Sequence, residues 1–214
     1  MIITYFGTQS FKVQFGETIL AFDPVSKKSK FPQGRFGADI VLITIADPDM
    51  NGVDNVTYGE KRPFVIEGPG EYEIKDVFIK GFSSKSLYNA TKGEKRLNTI
   101  YSVALENMNL AFLGAISETE LSAEAKESVS EADVLFIPIG GGGVLDASSA
   151  YKCAVRLEPK IIIPMHYGSS LGKDALTVFL KEAGEKPTPL DKLTLKRKDL
   201  EGKEGDIVVL RADA

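Results

Sequence analysis

The chain has 214 residues, of which 43% are hydrophobic and 26% are charged, with a formal net charge of −4 and one cysteine. A chain of this length and composition buries enough surface to fold as a globular protein without disulfides. The single cysteine excludes an intramolecular disulfide and a cysteine-based zinc site, and the negative charge argues against a broad nucleic-acid or membrane surface.

The first half of the chain is predicted to consist of short strands. Residues 39–44 form a continuous apolar run, which is typical of a strand covered on both faces. Gly16 and Glu17 indicate a tight hairpin between two such runs. The predicted strands are Ile2–Tyr5, Phe11–Phe15, Thr18–Phe22, 39–44, 63–66, 71–74, 77–82, 99–105 and 110–113.

The second half alternates helices and strands. Ser117 with Glu120 three residues later is typical of a capping box and predicts a helix to about Ser130. Asp146 is predicted to N-cap a second helix, and Gly184 to end a third. The remaining strands are predicted at 134–139, 161–163 and 207–210.

The order of these elements predicts one α/β domain over residues 1–214, with two sheets and helices outside them. The basic stretch 192–198 alternates with leucines and is predicted to be a surface strand. Cys153 lies among small apolar residues and is predicted to be a buried core residue. The chain begins directly with strand residues and has no apolar stretch of about 18 residues, so we expect a cytoplasmic protein.

Two strand ends carry residues suited to chemistry. Asp47 and Asp49 follow the predicted strand 39–44, where carboxylates bind a hard cation or act as an acid and a base. Taken alone, the same residues are more often a solvated turn. His166, the one histidine, follows strand 161–163, and a lone histidine is more often structural than a ligand.

The glycine run 140–143 lies between a strand and a helix. Its backbone N–H groups could bind an anion at the helix N-terminus, but Asp146 is expected to occupy that cap. The run also lacks the spacing of a Rossmann or P-loop motif. A loop that needs close backbone passage is therefore the favoured interpretation.

In this order, several segments resemble the metallo-β-lactamase-fold hydrolases, in particular small uncharacterised hydrolases related to the ascorbate-6-phosphate lactonases. The segments that carry the resemblance are 5–11 (YFGTQSF), 20–24 (LAFDP), 39–44 (DIVLIT), 68–73 (GPGEYE), 97–101 (LNTIY), 112–114, 133–142 and 159–167. The resemblance implies a four-layer αββα sandwich and metal-dependent hydrolysis.

The sequence departs from the family at the metal ligands. Its ligand positions correspond here to Thr8, Ile45, Asp47, Asp49, Met50, Ala115 and His166. The family's third metal histidine would lie within 81–89, where this chain has none. Only Asp49 and His166 keep the family's residue types, and Asp47 offers a substitute oxygen.

A catalytic zinc site needs about three protein ligands and an open water position. Asp47, Asp49 and His166 could at best hold one divalent ion (Mn, Fe, Mg or Zn), with Asp49 and His166 as the catalytic residues. Ile45 has no donor atom, and the thioether of Met50 suits copper(I). The favoured expectation is that no functional metal binds.

Three functions remain open at this stage. The leading hypothesis is a non-catalytic binding or scaffold module for an unknown small molecule or protein partner. The alternative is a divergent mononuclear-metal hydrolase of a small phosphorylated or lactone-like substrate. Nucleic-acid processing is the least favoured, and we expect neither a nucleic-acid nor a membrane partner.

Overall fold

The computed structural model describes residues 1–60, 62–168 and 170–213, which form two mixed β-sheets. The first sheet has the order β12-β1-β2-β3-β4-β5. Its strands are β1 (Ile2–Tyr5), β2 (Phe11–Phe15), β3 (Thr18–Phe22), β4 (Ile40–Leu42), β5 (Phe64–Ile66) and β12 (Leu193–Thr194). The predicted hairpin at Gly16 is confirmed, because Phe15 pairs with Thr18 in the β2–β3 ladder.

The second sheet has the order β13-β11-β10-β9-β8-β7-β6. Its strands are β6 (Gly70–Ile74), β7 (Val77–Ser86), β8 (Arg96–Leu105), β9 (Met108–Phe112), β10 (Val134–Pro138), β11 (Ile161–Met165) and β13 (Asp206–Ile207). Strands β9, β10, β11 and β13 run parallel, as expected where helices connect the strands.

The main hydrophobic core lies between the two sheets and is built from alternate residues of strands in both. Four phenylalanines meet at its centre. Phe22 of the first sheet stacks on Phe112 of the second with ring centroids 4.7 Å apart, and Phe11 meets Phe136 at 4.9 Å. Aromatic pairs of this kind add to the hydrophobic stabilisation that holds the two sheets together.

The outer faces of the two sheets are covered differently. Helices α1 (Ala123–Val129), α2 (Ala147–Leu157) and α3 (Ala175–Ala183) bury their apolar faces against the second sheet. The outer face of the first sheet packs against the loop 23–39 and the 3₁₀-helix Val53–Asn55. The predicted α/β sandwich is confirmed, with its α-helices on one side.

Most predicted elements are present, with one clear error. The helix predicted from Ser117 begins later: Ser122 is the N-cap and accepts a hydrogen bond from the Ala125 amide. Ser117 instead bonds the carbonyl of Lys85 through both its amide and its hydroxyl, which holds it out of the helix. Two predicted strands are also shorter: of the stretch 192–198 only Leu193–Thr194 forms a strand, with a 3₁₀-helix from Arg197, and the last strand is Asp206–Ile207 rather than 207–210.

The predicted cap and the predicted core cysteine are confirmed. Asp146 accepts a hydrogen bond from the Ser149 amide at the start of α2. Cys153 is buried on α2, and burial raises the pKa of its thiol. Within the described ranges, no helix has both the length and the apolar character needed to cross a membrane.

Candidate functional site

The structure brings two of the predicted site residues, Asp49 and His166, into contact with the side chain of Tyr88. Asp49 lies in the loop after β4, and His166 directly follows β11. The Tyr88 hydroxyl donates a hydrogen bond to Asp49 Oδ2 at 2.6 Å, and its ring meets the His166 ring edge-on with centroids 4.9 Å apart. Tyr88 therefore contacts both of the residues that match the family's ligands.

Asp49 is held by two hydroxyl donors. Ser29 Oγ donates to Oδ1 at 2.5 Å, while Tyr88 donates to Oδ2. Because the acceptor is a charged carboxylate, both bonds are stronger than neutral ones. Each oxygen that could ligate a cation is thus already engaged by the protein.

Asp47 is neutralised by an arginine. Nη1 of Arg96 lies 2.7 Å from Asp47 Oδ2, and Nη2 of the same guanidinium donates to the carbonyl of Ala46 at 2.7 Å. Asn89 also donates to Asp47 Oδ2 at 3.2 Å. The side chain of Asp47 is buried, so removing one partner would leave the other charge poorly solvated.

His166 is a buried histidine in the left-handed backbone region, at φ 57°. The Gln9 amide Nε2 lies 2.9 Å from Nδ1 of the ring. With the amide in this orientation, Nδ1 accepts and the ring proton lies on Nε2, while Oε1 of Gln9 is buried without a partner among the described residues. Burial lowers the pKa of His166 to about 4, so the ring is neutral at pH 7.

The replaced ligand positions form an apolar cluster. Ile45, Met50 and Ala115 pack together with Tyr88 and Val144, and all five are buried. Transferring such side chains out of water stabilises the fold, whereas the polar groups they replace would need a metal to satisfy them. These positions now contribute to the protein core.

The glycine run allows the Tyr88 segment to approach closely. A Cβ on Gly143 would lie 2.7 Å from the carbonyl oxygen of Leu87, and Gly143 has a φ of +110°. The amide of Leu87 donates to the Gly143 carbonyl at 3.2 Å. The predicted close backbone passage is confirmed, and Asp146 occupies the cap of α2 where an anion would otherwise bind.

A further buried carboxyl group, that of Asp23, joins the ends of β3 and β4. It accepts hydrogen bonds from the Thr44 amide at 2.7 Å and the Thr44 hydroxyl at 2.6 Å. Burial raises the pKa of Asp23 to about 8, against the smaller opposing effect of the two Thr44 bonds. These contacts give Asp23 a structural role beneath the loop of Asp47 and Asp49.

The donor set does not fit the dinuclear metal centre that the resemblance implies. Ile45 and Ala115 have no donor atom, and the carboxylates of Asp47 and Asp49 are paired with Arg96 and Tyr88. Over the described ranges, no group of three or more His, Cys, Asp or Glu side chains is placed to hold a metal ion. An ion bound by Asp47 or Asp49 would have to displace the present partners of those carboxylates. Among the described residues, the His166 ring has a hydrogen-bond partner at Nδ1 alone.

The comparisons agree with this fold. A family model described as the β-lactamase superfamily domain matches residues 2–166. The chain is similar to a UPF0173 metal-dependent hydrolase of Oenococcus oeni, with 26% identity over 79% of this chain and 86% of that protein. It is also 29% identical to a UPF0173 protein of Pyrococcus abyssi over 51% of this chain and 48% of that protein.

Solved structures show the same architecture over the whole chain. A metallo-β-lactamase superfamily protein from Thermotoga maritima superposes with a TM-score of 0.76 and 26% identity, covering 98% of this chain and 97% of that chain. The metallo hydrolase Igni18 of Ignicoccus hospitalis gives a TM-score of 0.64 at 18% identity, with coverages of 100% and 96%.

Proposed function

We propose that this chain, which belongs to the β-lactamase superfamily, is a non-catalytic member of it that acts as a binding or scaffold module. The observation that carries the proposal is the position of Tyr88, which hydrogen-bonds Asp49 and packs on His166. Metal-dependent hydrolysis needs an ion and an open water position between such groups.

The remaining acids and bases are also engaged. A general base must reach a water or substrate proton within hydrogen-bond distance. Here the Asp47 carboxylate faces Arg96, and Nδ1 of His166 faces the Gln9 amide. Both Asp47 and His166 are buried, so neither presents a free base to a substrate.

The replacements are mutually consistent. A site that has lost its metal but kept its carboxylates and histidines would leave buried charges without partners, at a cost of several kcal/mol. In this chain Arg96 compensates Asp47, and Tyr88 and Ser29 satisfy Asp49. The apolar cluster of Ile45, Met50 and Ala115 needs no ion, so the arrangement is stable by itself.

An activity screen tests this proposal. The full chain is assayed with chromogenic phosphomonoesters, phosphodiesters and lactones, in Mn²⁺, Fe²⁺, Mg²⁺ and Zn²⁺, beside Asp49→Asn and His166→Asn. Asp76→Asn is the matched control, because Asp76 is an exposed turn residue with positive φ. We expect no turnover above that of the metal salts alone.

One outcome would overturn the proposal. Turnover that is lost in Asp49→Asn and His166→Asn, and kept in Asp76→Asn, would establish the alternative of a mononuclear-metal hydrolase. Such a result would mean that the bonds of Tyr88 and Arg96 to the two carboxylates open to admit the ion.

A further inference from the structure

A solvent-open cleft of about 540 Å³ lies beside the loop 23–39, and its volume is in the range of small-molecule sites. Its lining includes Lys27, Arg35, Asp54, Asn55 and Tyr58. None of these residues occupies one of the family's metal-ligand positions, although Ser29 in the neighbouring loop donates to Asp49.

The loop that forms one wall of the cleft is strongly cationic. Residues 27–35 carry Lys27, Lys28, Lys30 and Arg35 and contain no acidic residue. In the part of the chain that the structure describes, none of these four side chains has a hydrogen bond or an ion pair of its own. Two of the four, Lys27 and Arg35, line the cleft itself, and unpaired cations there suit an anion such as phosphate.

Asn55 also lines the cleft, and the oxygen of its side-chain amide, Oδ1, receives no hydrogen bond from the described residues. Its Nδ2 donates to the Val25 carbonyl at 2.6 Å and to Gln33 Oε1 at 3.2 Å, which fixes the orientation of the amide. Its Oδ1 is buried and has no partner among the described residues. Because Oδ1 is closed off from the solvent of the cleft, the amide serves to hold the loop 23–39 in place through its two Nδ2 bonds.

Two further residues of the cleft suit the planar base and the ribose of a nucleotide. Tyr58 has 77% of its surface exposed. Its Cβ packs beside Gly37, so closely that a Cβ added to Gly37 would lie 3.1 Å from it. An exposed tyrosine ring beside cationic groups is a stacking surface for a planar base. Asp54 is the cleft's carboxylate, and carboxylates accept hydrogen bonds from ribose hydroxyls.

We infer that this cleft binds a small nucleoside phosphate, with the phosphate at Lys27 and Arg35 and the base on Tyr58. Asp54 accepts hydrogen bonds from the ribose hydroxyls, and Asn55 supports the wall of the cleft through its bonds to Val25 and Gln33. The inference deepens the proposed function by giving a binding module its ligand class. It depends on the cleft alone, because no residue of the Tyr88 site takes part.

Binding of adenosine 5′-monophosphate to the full chain at low salt, followed by calorimetry, tests the inference. The variants are Lys27→Ala/Arg35→Ala and Tyr58→Ala, which change exposed side chains and leave the core intact. The control is Lys192→Ala/Lys198→Ala, which removes the same charge from another surface. Ribose 5-phosphate, adenosine and inorganic phosphate serve as partial ligands.

We expect the nucleotide to bind more tightly than each partial ligand. Loss of the two cations should weaken it by roughly 10-fold or more, and loss of the Tyr58 ring by about 5-fold or more. The control should leave affinity within about 2-fold. Inorganic phosphate binding as tightly as the nucleotide, or affinity unchanged in both cleft variants, would overturn the inference.

The two proposals fail separately. Nucleotide binding is read as heat of association, without turnover or added metal, so a lack of binding leaves the state of the Asp49 and His166 site untouched. Conversely, metal-dependent turnover that is lost in Asp49→Asn would overturn the non-catalytic proposal while leaving the cleft as a ligand site.

Discussion

Replacing Tyr88 by phenylalanine removes one hydrogen bond and leaves the packing of the ring in place. The Tyr88 hydroxyl donates to Asp49 Oδ2 at 2.6 Å, and Ser29 remains as the donor to the other carboxylate oxygen. Because hydrogen bonds to charged groups contribute about 1.5–3 kcal/mol, we expect Tyr88→Phe to lower the free energy of unfolding by about 2 kcal/mol. In a chain of this length that lowers the Tm by roughly 4–8 °C.

Thermal unfolding followed by circular dichroism measures this change. The matched control is Tyr58→Phe, because Tyr58 is 77% exposed and its hydroxyl lies in solvent. A surface change of this kind is expected to stay within about 0.5 kcal/mol. If Tyr88→Phe unfolds at the same temperature as Tyr58→Phe and the unchanged chain, the bond to Asp49 does not hold the site closed.

Three further predictions concern buried groups. Asp23 keeps its proton to about pH 8 in the fold but to about pH 4 when unfolded, so its contribution to stability is lost as pH rises through that window. Urea titrations at several pH values measure this effect. Between about pH 4 and pH 8 the free energy of unfolding of the unchanged chain should fall by about 1.4 kcal/mol per pH unit, and Asp23→Asn should abolish this fall. The same slope in both proteins would contradict the prediction. Because burial lowers the pKa of His166 from 6.5 to about 4, the fold should lose about 3 kcal/mol as pH falls through that range. In His166→Asn, the same titrations should show no such fall in the free energy of unfolding at acid pH. Gly143→Ala places a Cβ 2.7 Å from the Leu87 carbonyl oxygen and should destabilise the chain by roughly 2–4 kcal/mol, with Gly141→Ala, which meets no atom within 4 Å, as its control.

Much of the framework could be predicted from local patterns. The alternation of apolar residues predicted β1, β2 and β3 at their observed bounds, and the side chain of Asp146 predicted the start of α2. Ser117 misled the prediction because both it and Ser122 are suitable caps. The choice between them depends on the Lys85 carbonyl, which lies 32 positions away in the sequence.

The candidate site was harder to predict because its partners are distant in the chain. Asp49 and His166 stood out at strand ends, where functional groups concentrate in α/β sheets. Their partners are separated from them by 39 positions for Tyr88 and 157 positions for Gln9, and Arg96 lies 49 positions from Asp47. No short sequence motif predicts contacts over such separations. The segment 81–89, where the family would place a histidine, does contain Tyr88.

The metal content of the protein shows whether Asp47, Asp49 and His166 hold an ion. The protein is purified without a histidine tag and analysed by inductively coupled plasma mass spectrometry beside an Asp49→Ala/His166→Ala variant. Because Arg96 and Tyr88 already bond the carboxylates of Asp47 and Asp49, we predict metal well below one equivalent in both samples. Close to one equivalent of a transition metal, lost in the variant, would contradict the account and restore the hydrolase as the better description.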